Sequence, residues 1–231
     1  MPWLSTSLVL AQKGLYILAL PFSFMFFLTG LRQVHNAYHY ALGVSKKSTE
    51  QVMLILSALM LGSMHALQLT HLYHHKHCMD EDDVEAASAR VSGLGALLLG
   101  PVFPIQLHVK ALAIANSRRR LWIWSELIIN AVIVFTVFVV LRVPCLKYHF
   151  VAMAIGQCLT AFVAVWTVHH GCDGTTLIAR TLRHRVKSLI AFDMFYHTEH
   201  HLFPRVPTCH LAQLAERLDV VVPEVQKHQV Y

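Results

Sequence analysis

The sequence predicts an all-α integral membrane protein, with about three to four spans carrying a histidine-rich cap on the cytoplasmic face. Three observations carry this. Composition is the first: 55% of the 231 residues are hydrophobic and 14% charged, with mean hydropathy +0.50, against roughly 45–50% and 25% in soluble proteins. The second is a set of apolar runs close to the ~20 residues that cross a bilayer core. Repetition is the third: H-x-x-H-H occurs at His71, His74 and His75 and again at His197, His200 and His201. With 17 histidines in the chain, chance supplies about 0.1 copies of that pattern.

Composition also excludes classes. The net charge of +6 comes from basic residues scattered at the ends of apolar runs, so no nucleic-acid partner is expected. The five cysteines are an odd number without C-x-x-C spacing, which argues against a disulfide framework or a zinc knuckle and for reduced thiols. No domain linker interrupts residues 1–231, and one membrane domain is expected.

Taken in order, residues 14–31 form the first apolar run, with 3–12 able to lengthen it outward as a retained anchor. His35 and His39 follow Arg32 and stack on one face if the helix continues. Residues 52–69 are apolar enough to span, but a crossing would separate His35 and His39 from the second cluster by some ~30 Å. If both serve one site, this segment must lie along the interface, re-enter, or pack without crossing. Asp80 to Asp83 and Glu85 read either as a solvated loop or as carboxylates backing the imidazoles. Residues 93–115, interrupted by Gly100, Pro101 and Pro104, read as a broken helix. Arg118 to Arg120 then precede a hairpin of two runs, 121–141 and 148–168, and mark its open end as cytoplasmic. His169 and His170 stand where the second run emerges. Arg180, Arg183, Arg185 and Lys187 precede the last cluster, and 208–219 reads as an amphipathic helix.

On a helix, positions i, i+3 and i+4 share a face, so each H-x-x-H-H can aim three imidazoles at one point. Nine histidines exceed one tetrahedral ion and suit two ions of four or more ligands. Imidazole alone leaves zinc, copper, iron and nickel open. A His-rich transporter or sensor is the non-enzymatic alternative, although transport calls for ionisable groups inside the spans rather than at their ends. His65, His77, His108, His149, His184, His210 and His228 fit no cluster and are expected to be structural or solvated.

HNAYH, HLYHH and HTEHHLFPRVP resemble, in order and spacing, the three histidine boxes of the membrane fatty acid desaturase family, which includes related hydroxylases and ketolases. The similarity runs from about Arg32 to Leu218, and the third box is its most specific part. TVHHG resembles the context of the family's additional ligand, with His169 favoured over His170. Phe192-Asp193 stands where members often have Trp-Asn, and the segment before the first box has room for one span where many have two. The resemblance implies a non-haem centre of two iron ions, ligated by His35, His39, His71, His74, His75, His169, His197, His200 and His201, with O2 as co-substrate. It implies desaturation of a fatty-acyl lipid, or alternatively hydroxylation or ketolation of a smaller hydrophobic molecule. Electrons would come from a separate ferredoxin, rubredoxin or cytochrome, with Arg180, Arg183, Arg185 and Lys187 as a docking face or ordinary flanking charge. Asp193 and Glu199 flank ligands and are expected behind them, with Tyr73 and Tyr196 packing on them.

Overall fold

The computed structural model describes residues 2–172, 179–223 and 229–230, without the side chains of Arg185 and Val230; His228 lies outside them. Among the described residues the fold is helical apart from one short parallel pair, β1 (Thr181–Leu182) with β2 (Gln229–Val230).

α1 (Pro2–Gln12) does not lengthen the first run as expected. Gly14, at φ +75°, turns the chain, and α1 folds back along α2 (Tyr16–Tyr38) with Ser7 bonded to Ser23 at 2.7 Å and Trp3 against Phe22. At 11 residues α1 is too short to be a second span. Among the described residues three helices are long and apolar enough to cross a membrane, α2, Ser117–Leu141 and Pro144–His169, or up to 5 if each of two bent helix pairs counts as one span. The second consists of α7 (Ser117–Phe135) and a π turn; the third of α8 (Pro144–Thr160), a π turn and α9 (Thr167–His169). Arg119, in the first turn of α7, donates to Gln68 at 2.7 Å, so the arginine end of the hairpin lies beside the helix that carries the middle histidine box.

The run at 52–69 is not one helix. α3 (Lys46–Met60) and α4 (Met64–His77) meet at 110°, and α5 (Gly93–Leu99) meets α6 (Phe103–Ile114) at 66°. Leu61, at φ +56°, makes the first turn. α3 packs against α2, α7 and α8, which places the break inside the bundle, where freed backbone groups find no water.

Side chains from three other helices satisfy those groups. His149 donates to the Leu59 carbonyl at 2.9 Å, and Gln157 to that of Met60 at 2.9 Å. The Ser63 N–H donates to His108 Nε2 at 2.9 Å. Glu126, fully buried in α7, accepts from Ser63 Oγ at 2.5 Å, the His65 N–H at 3.1 Å and His65 Nδ1 at 2.8 Å. A carboxylate at this position also meets the positive end of α4. His65, His108 and His149, which fit no histidine box, are thus all employed at or beside one bend.

The remaining elements close the site end: α10 (Arg185–Ile190), α11 (His197–Leu202) and the amphipathic α12 (Leu211–Val221), which buries Leu211 and Ala215.

Glu126→Ala removes the acceptor of three buried donors, each worth about 1–3 kcal/mol when left unpaired. Thermal unfolding in detergent should show a loss of about 3 kcal/mol or more. Gly100→Ala would set a Cβ 2.0 Å from the Cys158 carbonyl oxygen, and the same assay should register about 1–3 kcal/mol of overpacking.

Candidate metal centre

Four segments converge at one end of the bundle. The last turn of α2 supplies His35, with His39 capping it; α4 supplies His71, His74 and His75. The π turn Ala161–Trp166 resets the helical register just before His169, and α11 supplies His197, His200 and His201. All the box histidines are buried except His75 and His201, which are partly so.

The ring nitrogens fall into two groups that could each hold a metal ion: His35, His39, His71 and His200; and His74, His169, His197 and His201. His75 lies between them, its Nε2 3.2 Å from that of His71 and 3.0 Å from that of His200, its ring stacked on His201. Within the groups, His35 and His200 Nε2 lie 2.9 Å apart, His74 and His169 3.1 Å, His169 and His197 2.9 Å, and His197 and His201 3.2 Å. Two nitrogens each ~2.1 Å from a shared ion, at 90–110° to one another, stand about 3.0–3.4 Å apart. The spacing is that of co-ligands. Hydrogen bonding serves it poorly, because one Nε2 per ring cannot answer several others at once.

Carboxylates fix the ring orientation on the middle box. His71 Nδ1 donates to Glu85 and His74 Nδ1 to Asp83, each at 2.8 Å. This leaves both Nε2 lone pairs facing the site. The acidic run therefore divides: Asp80, Glu81 and Asp82 are exposed, Asp83 is buried and Glu85 partly so.

Burial also sets the charge state. Desolvation, reinforced by the neighbouring imidazoles, holds His197, His200 and His201 well below the usual histidine value, and His39 at about 3. These rings are neutral at physiological pH, as ligation requires. His39 Nε2 is buried with no hydrogen-bond partner, a cost that an ion would relieve. The donor set fits an imidazole-binding transition metal.

Several expected residues lie elsewhere. Glu199 does not back a histidine: it sits between His197 and His200 on the opposite face of α11, accepting from Thr181 at 2.8 Å and Arg183 at 2.6 Å. Asp193 occupies a turn at φ +61° and lines a cavity with Arg32. Among the described contacts its carboxylate meets no imidazole. Tyr73 stacks on His77 and donates to Asp82, and Tyr196 lines the Arg32 cavity. The tyrosine that packs on a box histidine is Tyr38, 5.6 Å from His71 between ring centres. Its place three residues after His35 was the available signal. His170 turns away, bonding the Ala89 carbonyl at 2.8 Å and stacking on Trp166.

A cavity of about 280 Å³ opens onto His35, His71 and His197, walled by Phe24, Leu28, Val163 and Met194. A smaller chamber of about 80 Å³ between α2, α4, α6 and α8 shares Tyr38, His71 and Glu85 with it. Together they make an apolar passage beside the histidines.

No curated protein and no solved structure matches the chain. A family model described as fatty acid desaturase matches residues 12–231, a stretch that holds all three boxes, His169 and both chambers. The match covers nearly the whole chain, and the histidine groups and spans agree with it: the protein is a member of the fatty acid desaturase family, a class of membrane-bound oxidoreductases.

Proposed function

We propose that this protein is an O2-dependent, di-iron oxidoreductase that desaturates a fatty-acyl lipid at the cytoplasmic face of the membrane. The observation that carries this is the pair of four-histidine groups joined through His75 beside an apolar passage. His35, His39, His71 and His200 would hold one ion; His74, His169, His197 and His201 the other; His75 stands at both. When bound, two ferrous ions supply the activation of O2 and the removal of hydrogen from an unactivated C–H bond.

The protein's part is placement. Asp83 and Glu85 hold the rings of His74 and His71 and offset cationic charge on the ions. The passage takes an extended chain in from the membrane side, and its apolar walls keep water from the reacting carbons. Tyr38 and Glu85, where the two chambers meet, position the carbons presented to the histidines. Arg118 to Arg120, at the same end as the boxes, support the cytoplasmic orientation. Electrons come from a separate donor protein. Arg183 is paired with Glu199 and Asp219, which leaves a donor fewer free cations on this face than the count of basic residues implied.

Alkene and alcohol formation share the same first hydrogen removal and differ in the second step, so placement to within about an ångström decides between them. Supplied with an electron donor and labelled O2, the purified enzyme should yield an unsaturated product free of label; label retained in the product would establish hydroxylation instead. His200→Ala is expected to lose bound iron and all turnover, whereas His170→Ala should keep both, as read by iron analysis and product formation. Asp83→Asn and Glu85→Gln should each weaken metal affinity about 10–100-fold, measured by chelator competition on the purified variants.

A further inference from the structure

The lining of the larger of the two chambers joins three kinds of group: the histidines with Tyr38 and Glu85, apolar walls, and Lys187. Lys187 lies on α10, whose Val186, Leu189 and Ile190 are 57%, 75% and 47% exposed. That apolar exposure beside a cation is the pattern of a helix lying in a membrane interface. Two other cations of this region are already engaged. Arg183 holds Glu199 and Asp219, each at 2.6 Å, and Arg32 donates to Thr208 at 2.9 Å and lies over the Phe192 ring. Among the described residues, no carboxylate lies within ion-pair distance of Lys187.

An apolar chamber lined both by the histidines and by an ammonium that no described carboxylate pairs has the form of a site for an amphiphile. We infer that the substrate is a single-chain lipid with an anionic head, carboxylate or phosphate, which Lys187 holds while the tail runs toward His35, His71 and His197. This rests on the desaturase reading and narrows its substrate class. A neutral glycerolipid or a polyene hydrocarbon would leave the ammonium unused.

The test is binding of palmitate, palmityl alcohol, palmitylamine and palmitoyl lysophosphatidate to the full chain in neutral-lipid nanodiscs, at about pH 9, where carboxylate and ammonium are both charged. Palmitate or the lysophosphatidate should bind more tightly than the alcohol, and whichever of the two is favoured identifies the head. Lys187→Ala should weaken the acid about fivefold, the scale of an exposed ion pair, and leave the alcohol unchanged. Lys187→Arg should preserve the preference, and Lys187→Glu should transfer it to the amine. Equal affinity for acid and alcohol, or an equal loss for both in Lys187→Ala, overturns the inference and leaves the desaturase reading standing. Failure of the wild type to bind any of the four also overturns the inference alone; the desaturase reading falls instead if the same protein neither binds iron nor turns over any acyl lipid.

Discussion

Breaking a helix inside a membrane bundle strands backbone groups that water cannot reach, and the break between α3 and α4 is the place where this fold has to meet that cost. It does so with side chains of α6, α7 and α8: His108, Glu126, His149 and Gln157. Glu126 contributes most, because a single carboxylate takes three donors at the start of α4. The position of α4, and with it of three box histidines, depends on that junction. An acid in a membrane span usually marks a functional path; here its function is architectural, and it acts on the site through the helix it holds.

The same economy appears at the other end of the site. α11 is only six residues long and could not hold three imidazoles by itself. Glu199, on its far face, is bound by Thr181 and Arg183, and Arg183 is bound in turn by Asp219 of α12. The carboxylate within the third box thus fixes the helix, whereas the carboxylates that orient ligand rings come from the loop after the second box. A packed group of imidazoles with two flanking carboxylates suits cations entering a dry pocket: burial keeps protons off rings such as His197, His200 and His201, while, against burial, Glu85 and Asp83 hold His74 above the usual histidine value and offset incoming charge.

Cavity and histidines meet because one face of α2 serves both. Phe24, Leu28 and Leu31 wall the chamber, and His35 comes one turn later at its end. On the proposed reading, an extended chain lying along α2 is thereby led to the site.

Membrane character, helical class and the histidine boxes were all legible in the sequence, and so was the unusual status of residues 52–69, which fold as two helices meeting at 110°. Each depends on composition, periodicity or spacing along one chain, as with i, i+3, i+4 in the second and third boxes. Contacts between distant segments were not legible there, and the packed fold settled them. It decided between the two readings of the acidic run, making Asp83 and Glu85 the partners of histidine rings, and it set Asp193 and Glu199 to other contacts. It brought His169 inward and turned His170 out, and it gave His65, His108 and His149 their places at one bend. It also folded α1 back on α2, since Gly14 permits a turn that hydropathy does not register. The physical reason is that a side chain's neighbours across the bundle, and hence its hydrogen bonds and charge, are set by how helices pack, which sequence distance does not encode.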